Sequence, residues 1–365
     1  MNFINPNQPL LDVKAAVKKE FDQPTPRPHL GCSQIGAECR ADLWHSFRWN
    51  VKAEFDADTH LRFQDGHRSE DVMAAYLRKA GFQLVTHKNG QQIRVSSLGG
   101  HFAGSVDGII KGLPWLHKNE VSIWEHKAVN ETKFKKLKGL VDELGPDSLR
   151  LALQAWDQVY YAQAQCYMSK LNTTHHWLTC STPGCRDFVA VRTELDPDFA
   201  RLMENKAETI ITSSEPPARE FDDPFFYKAK WLNSYDILYK NAVPAPNYRN
   251  SVFCSPVVDN SDKGIWFDEY LQIAVPVSEQ GNNHAHHLFN PCLIPYADCV
   301  ALEDAAKPRY AVYKLQDGTT FYNVHKGLEG PNGFNSEEMR FLTPEIIKDP
   351  NIADIRKNFA AKISG

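Results

Sequence analysis

The sequence lacks the features that would place the protein outside the cell or in a membrane. Its 8 cysteines form no C-x-x-C pair, so neither a disulfide scaffold nor a common zinc motif is indicated. No apolar run is long enough to span a bilayer, and the start, Met1-Asn-Phe-Ile-Asn-Pro6, lacks the segments of a secretory signal. We therefore expect a cytoplasmic protein with no membrane partner, whose thiols are free and mostly buried.

The chain also lacks an excess of positive charge. Its formal net charge is −4, which gives no general attraction for nucleic acid. A local basic groove remains compatible with this value, because phosphate binding depends on where the lysines and arginines lie. Lysines 133, 135, 136 and 138 form the clearest basic stretch. This stretch is either a solvated loop or a phosphate-binding flap.

Charged residues interrupt two apolar stretches that we predict to be neighbouring strands, over residues 104–110 and 121–129. Alternate residues of a strand share a face, so Glu125 and Lys127 lie on a face otherwise made of valine and isoleucine. Burying such charges is costly unless they are paired or bound to a metal, and Asp107 on the preceding strand completes the pairing. Two carboxylates and a lysine predict a site for a divalent metal and a phosphate. A buried structural ion triad is the alternative.

Two predicted helices flank these strands. The stretch from Gly66 to Arg78 is typical of a loop entering an amphipathic helix, with Glu70 in the first turn, where the helix dipole favours an acid. Helical spacing over residues 148–171 places Gln163 and Tyr167 on one face. For these three residues a structural role is as good an explanation as a functional one.

A further helix is predicted over residues 37–48. Ser33 is in a position to cap it, and its leucine, tryptophan and phenylalanine form an apolar stripe. Ser33, Arg40 and Arg48 are candidate phosphate contacts. A helix cap and solvated arginines explain them equally well.

Length and composition predict more than one domain. A chain of 365 residues exceeds the usual size of a single domain. The pattern breaks at Ser213-Ser-Glu-Pro-Pro217, after which aromatic residues, asparagine and proline are more frequent. We predict an N-terminal arm over residues 1–30, a first domain over residues 31–215 and a C-terminal domain over residues 216–365. The last of these contains a predicted hairpin and a final helix.

The order of these elements resembles the PD-(D/E)XK nuclease superfamily, and more narrowly its RecB-type and lambda-exonuclease-type phage DNA exonucleases. The resemblance covers roughly residues 30–210 and rests on an acidic helix, the acid and E-x-K strands, and a Q-x-x-x-Y helix. Val106 stands where the superfamily often has proline, at a position that is not a ligand. The resemblance implies an α/β fold with a restriction-endonuclease-like core, a mixed central sheet flanked by helices in the order αβββαβ. An α+β accessory domain would follow this nuclease domain.

The resemblance also implies roles for individual residues. Mg²⁺ or Mn²⁺ would be bound by Asp107, Glu125 and the backbone carbonyl of His126, with Glu70 reaching the ion directly or through water. Such hard cations prefer oxygen ligands. The implied catalytic set is Asp107, Glu125, Lys127, Gln163 and Tyr167, and the implied substrate-binding set is Ser33, Arg40, Gln163 and Tyr167. Lys127 would orient or deprotonate the attacking water, while Gln163 and Tyr167 would hold the DNA backbone or order the site.

The activity implied is that of a metal-dependent deoxyribonuclease, an exonuclease acting on the ends of linear duplex or single-stranded DNA. By resemblance it belongs to phage or mobile-element recombination, works with a single-strand annealing or recombination protein, and resides in the host cytoplasm if phage-encoded. Two alternatives stay open: a restriction- or defence-type endonuclease of the same fold, and a non-catalytic DNA-binding module.

Relatives of this type commonly carry a cysteine-ligated cluster after the nuclease core. Here the corresponding region, residues 232–251, has no cysteine, and Cys254 alone lies nearby. We therefore expect no iron-sulfur cluster and no structural zinc. His284, His286 and His287 are either part of a polar loop or ligands of a metal.

Overall fold

A computed structural model describes residues 7–22, 26–145, 151–303 and 307–363. The α-helices in these residues are α1 (Gln8–Phe21), α2 (Arg40–Phe47), α3 (Ala57–Lys79), α4 (Glu131–Leu144), α5 (Leu151–Trp156), α6 (Gln158–Lys170), α7 (Pro197–Thr212), α8 (Tyr235–Lys240), α9 (Ser336–Met339), α10 (Pro344–Ile347) and α11 (Ile352–Ile363). Among them, none combines the length and the apolar character needed to cross a bilayer.

The strands in the described residues form four sheets. They are β1 (Leu30–Gly31), β2 (Gln83–Val85), β3 (His87–Lys88), β4 (Gln91–Ser97), β5 (Phe102–Val106), β6 (Gly108–Lys111), β7 (Ser122–Ala128), β8 (His175–Ser181), β9 (Phe188–Glu194), β10 (Cys254–Pro256), β11 (Trp266–Asp268), β12 (Ile273–Val275), β13 (Asp298–Leu302), β14 (Tyr310–Lys314), β15 (Thr320–Val324) and β16 (Gly333–Phe334). The predicted mixed α/β class is confirmed, while the restriction-endonuclease-like core topology stays a prediction.

The central sheet has five strands in the order β2-β6-β7-β8-β9, with β7 and β8 parallel and the other pairs antiparallel. A second sheet has the order β1-β5-β4-β3. The single strand predicted through residues 104–110 is therefore wrong. The chain leaves one sheet after β5 and enters the central sheet with β6, and Asp107 is the residue between them. Its side chain is consequently placed at a corner where two sheets meet.

The remaining sheets belong to the second half of the chain. One has three strands in the order β10-β11-β12, and the other has four in the order β13-β14-β15-β16. The predicted hairpin is present as β14 and β15, which pair antiparallel, and the predicted final helix is α11.

Two predicted helix starts are wrong. Asp56 caps α3 by accepting a hydrogen bond from the Thr59 backbone N–H at 2.7 Å, so Glu70 lies in the middle of a longer helix and not in its first turn. Cys39 is the N-cap of α2, and Ser33 does not cap it. The Ser33 hydroxyl instead accepts a hydrogen bond from Arg27 Nη1 at 3.2 Å.

The basic stretch of lysines is helical and is not a loop or flap. Asn130 caps α4 by accepting a hydrogen bond from the Lys133 backbone N–H at 2.9 Å, and Phe134 and Leu137 are buried beneath the helix. The predicted helix over residues 148–171 is divided at Asp157, whose carboxylate caps α6. Residues 148–150 lie outside the described residues.

One hydrophobic cluster contains residues from both predicted domains, including Phe102 from the first and Phe289 from the second. The Arg249 side chain, which is 0% exposed, connects the same two parts. Its guanidinium donates hydrogen bonds to the carbonyls of Phe47 at 2.6 Å and Pro28 at 2.7 Å, and it lies 4.0 Å from the ring centroid of Trp49. The domain boundary at residue 215 therefore stays a prediction. In the structure, hydrophobic packing continues from one side of this boundary to the other.

We predict that Arg249→Met lowers the free energy of unfolding by about 3 kcal/mol, because it leaves buried carbonyls without donors. Because the two parts share a cluster, unfolding in urea should remain a single transition by fluorescence and circular dichroism. Arg201→Met is the control, since that side chain is 68% exposed and its loss should change stability by no more than about 0.5 kcal/mol. Two separate transitions, with the first part unfolding as in the wild type, would contradict this prediction.

Candidate active site

Asp107, Glu125 and Lys127 meet at one end of the central sheet. The Glu125 side chain is 2% exposed, and Lys127 Nζ donates a hydrogen bond to its Oε2 at 3.0 Å. The Asp107 backbone N–H donates to Glu125 Oε1 at 3.3 Å. The Asp107 carboxylate accepts a hydrogen bond from the His126 backbone N–H at 2.8 Å. The structure thus joins the three residues that the strand pattern singled out.

Strand pairing explains why this end of β7 is open. The ladder between β6 and β7 begins at the pair Gly108 and Trp124, so the residues of β7 beyond Trp124 have no β6 partner. The N–H and C=O of one strand residue point to the same edge. Because the His126 N–H points at the Asp107 carboxylate, its carbonyl also faces this open edge.

The His126 side chain points to the other face and has different partners. Its Nδ1 lies 3.0 Å from Thr179 Oγ1, and its Nε2 lies 3.1 Å from Ser181 Oγ. Both ring nitrogens are therefore occupied within the sheet. A role for His126 in metal binding would have to come from its backbone carbonyl, as the sequence resemblance implies.

Glu70 belongs to the same electrostatic group, although α3 carries it. Burial, followed by the negative charge of Asp107, raises the pKa of Glu70 to about 7. Lys127 opposes this shift only partly. A third carboxyl group is therefore close enough to Asp107 for their charges to repel.

Gln163 and Tyr167 lie behind these acids and are buried, with exposed fractions of 6% and 2%. Gln163 Nε2 donates to Glu125 Oε2 at 3.3 Å and to the Tyr167 hydroxyl at 3.2 Å. The Tyr167 hydroxyl in turn donates to the Ser105 carbonyl at 2.9 Å. Burial and these bonds favour the second of their two implied roles, which is to order the site.

Gly104 makes this arrangement sterically possible. A Cβ atom at this position would lie 2.7 Å from the Tyr167 hydroxyl oxygen and 2.8 Å from a ring carbon. Any other residue would push the tyrosine away from β5, and the hydrogen bond to Ser105 would be lost.

The other two implied substrate-binding residues lie outside the acid group, which consists of Glu70, Asp107 and Glu125. Ser33 follows β1, the strand that pairs with β5, and its hydroxyl is bound to Arg27. Arg40 is exposed, and its Nε pairs with Glu220 Oε1 at 2.9 Å. Within the described residues, neither side chain has a hydrogen bond or ion pair with Asp107, Glu125 or Lys127.

The sequence interpretation missed Tyr160. Its ring centroid lies 5.4 Å from Lys127 Nζ and 4.5 Å from Lys133 Nζ, so one aromatic ring contacts two ammonium groups. Lys133 is held by Asp157 Oδ2 at 2.7 Å. Tyr160 is three residues before Gln163 on the same helix, and this spacing was the signal that could have identified it.

The charges explain the titration of the group. Burial and the charge of Asp107 raise the pKa of Glu125 to about 8, and Lys127 offsets this only partly. Burial opposes the charge of Lys127, but Glu125 and Asp107 outweigh it and raise the pKa of Lys127. Burial and the neighbouring charge therefore favour the protonated forms of Glu70 and Glu125 when no cation is bound. Oxygen ligands that carry surplus negative charge suit a hard cation such as Mg²⁺ or Mn²⁺.

We predict that the metal-free protein loses stability as the pH rises from about 5 to 8. The folded state keeps the Glu125 proton up to about pH 8, whereas the unfolded chain releases it near pH 4.5. Each pH unit between these values therefore lowers the free energy of unfolding by up to about 1.4 kcal/mol. The free energy of urea unfolding should fall less steeply with pH in Glu125→Gln. Glu143→Gln, at an exposed position of α4, is the control. Equal slopes in all three proteins would contradict the prediction.

Comparison with known proteins gives only distant similarity. No protein-family model matches the sequence, and no curated protein does. Among solved structures, the chain is similar to the alkaline exonuclease LHK-Exo of Laribacter hongkongensis, with 15% identity and a TM-score of 0.34 over 55% of this chain and 90% of that one. A phage-related exonuclease from Haemophilus somnus 129PT gives 11% identity and a TM-score of 0.33, covering 50% and 91% of the two chains. The structure of SSO0001 gives 12% identity and a TM-score of 0.35, covering 63% and 95%.

Proposed function

We propose that the protein is a metal-dependent deoxyribonuclease that hydrolyses phosphodiester bonds at DNA ends. The observation that carries this proposal is the meeting of three carboxyl groups and one lysine at the open end of β7. A structural ion pair matches one acid with one base, whereas here three carboxyl groups, those of Glu70, Asp107 and Glu125, interact with the ammonium of Lys127. The surplus negative charge favours binding of a cation.

The residues assigned to the cation are Asp107, Glu125 and the carbonyl of His126, with Glu70 acting directly or through water. A Mg²⁺ or Mn²⁺ ion, when bound, supplies Lewis acidity toward a water molecule and the scissile phosphate. Gln163 fixes the rotamer of Glu125 by its hydrogen bond at 3.3 Å, and Tyr167 fixes Gln163. The site is therefore ordered before any substrate arrives.

Lys127 takes the role that the resemblance implies. Without a metal, the adjacent carboxylates raise the pKa of its ammonium. The amine would orient or deprotonate the attacking water and stabilise the charge that develops on the pentacovalent phosphate. The hydrogen bond to Glu125 at 3.0 Å and the ring of Tyr160 hold the ammonium in this position.

DNA would approach along α4. Lysines 135, 136 and 138 are exposed on this helix, while Lys133 reaches Tyr160 beside Lys127. Phosphates bound to the exposed lysines would lead the strand towards the acid group. Action on DNA ends during phage or mobile-element recombination, together with a single-strand annealing or recombination protein, is the setting that the sequence resemblance favours.

We predict that Lys127→Met lowers Mg²⁺-dependent digestion of end-labelled linear duplex at least about 100-fold, because the developing phosphate charge loses its cation. Asp107→Ala should abolish digestion and leave the circular dichroism spectrum unchanged. Lys170→Met is the matched control, since Lys170 also pairs with a glutamate, Glu204, at 2.7 Å and lies over an aromatic ring, but away from the acids.

Wild-type digestion by Asp107→Ala or Lys127→Met would overturn the proposed function. Covalently closed circular DNA separates the alternatives in the same assay. An exonuclease digests only the linear form, an endonuclease also cuts the circle, and a binding module cuts neither.

We further predict that the double variant Lys135→Gln, Lys136→Gln binds DNA more weakly, because two phosphate contacts are lost. In EDTA, fluorescence anisotropy should show the slope of log affinity against log salt reduced by roughly 2. The control is Lys348→Gln with Lys357→Gln, two exposed lysines of the second half. An equal effect of both double variants would show that α4 is not the DNA-binding face.

A further inference from the structure

We propose a second metal site, for Zn²⁺, in the second half of the chain, formed by Cys254, Asp268 and His284. The Sγ atom, a carboxylate oxygen and a ring nitrogen of these residues all lie within 4.8 Å of one another. This site shares no residue with the acid group at β7. It revises the expectation, drawn from cysteine spacing, that the protein has no structural zinc.

Sheet register brings two of the ligands together. Strands β10 and β11 are antiparallel, and Cys254 is directly opposite Asp268 in their ladder. Side chains of directly opposed residues are close neighbours on one face of a sheet. His284 comes from the loop that follows β12 and leads to the buried residues Leu288 and Phe289. The site therefore links a hairpin to a loop that is distant from it in sequence.

His284 has two ring nitrogens that the packing of its ring leaves without a hydrogen-bond partner. Both of its ring nitrogens are buried and have no hydrogen-bond partner, although its ring is held by stacking on Tyr248 at a centroid distance of 4.3 Å. Leaving such atoms unsatisfied is destabilising. A metal bond to one nitrogen removes part of that cost and accounts for the orientation of the ring.

Asp268 is already oriented for the same purpose. It is 0% exposed, and its Oδ1 accepts hydrogen bonds from the backbone N–H groups of Tyr270 and Leu271, both at 2.9 Å. Its Oδ2 lies 3.1 Å from His286 Nε2. A carboxylate with fixed orientation and a histidine partner is the usual support of a metal ligand. His286 is therefore a positioning residue in this proposal.

His287 is excluded as a ligand. Its Nδ1 lies 2.8 Å from Ser336 Oγ, and its Nε2 lies 3.0 Å from Asn250 Oδ1. The histidine run of the sequence thus divides into one ligand, one positioning residue and one residue that holds the loop to α9.

The donor set identifies the metal. A thiolate, an imidazole and a carboxylate suit Zn²⁺, with water in the fourth position, and a single cysteine does not provide the thiolates of an iron-sulfur cluster. Ligand atoms of a tetrahedral zinc site with bonds of about 2.0–2.3 Å lie roughly 3.5 Å apart, so the group needs only a small contraction. The Cys254 thiol gives its proton to solvent when the metal binds.

The test uses Co²⁺ as a probe of the full-length protein after removal of metal by a chelator. One equivalent of Co²⁺ should produce visible d–d bands and a thiolate charge-transfer band, and Zn²⁺ should displace it. Cys254→Ser should lose the charge-transfer band, and His284→Gln should lose stoichiometric binding. His286→Gln should weaken binding about 10–100-fold. Asp107→Asn should leave the cobalt spectrum unchanged, so the result is independent of the nuclease proposal.

Cys299→Ser and His117→Gln are the controls, since both residues lie outside the group and should bind Co²⁺ as the wild type does. Absence of the charge-transfer band in the wild type would overturn the proposal, as would its persistence in Cys254→Ser. Wild-type affinity in His286→Gln would remove the positioning role. Zn²⁺ should also raise the midpoint of urea unfolding of the wild type, which keeps the proposal testable if a variant fails to fold.

Discussion

The burial of Glu125 beside Asp107 is the constraint on which the candidate active site depends. A carboxylate that is 2% exposed cannot keep its charge next to another acid unless positive charge compensates it. Lys127 supplies one charge, and Gln163 and the Asp107 backbone N–H supply hydrogen bonds, yet the pKa of Glu125 is still raised. Without a bound cation, the buried acids thus lower the stability of the fold. This is a common property of sites that bind cations.

The same constraint explains the change of sheet at Asp107. If the chain had continued as one strand, β6 would have paired with the whole of β7, and the edge beyond Trp124 would be closed by backbone hydrogen bonds. The break between β5 and β6 leaves that edge to a side-chain carboxylate. Strand β5 then pairs with β4 and approaches Tyr167 through Gly104. An open edge, an acid and an ordering tyrosine therefore follow from a single interruption of the ladder.

Local pattern in the sequence predicted the elements that carry the site, but not how they are arranged. Alternation placed Glu125 and Lys127 on one face, and helical spacing placed Gln163 with Tyr167, because both depend only on neighbours in the chain. The sheet change at Asp107 could not be predicted, since residues on both sides of it have equal strand character and tertiary pairing alone separates them. The start of α3 was missed because the glycine at position 66 was interpreted as part of a loop, whereas the helix continues through it from the Asp56 cap.

The two proposed metal sites differ in ways that let one chain bind two kinds of cation. The group at β7 offers carboxylate and carbonyl oxygens at an open edge, which suits a hard ion that must also contact a phosphate. The group of Cys254, Asp268 and His284 adds sulfur and nitrogen in a closed setting, where Zn²⁺ competes better than Mg²⁺.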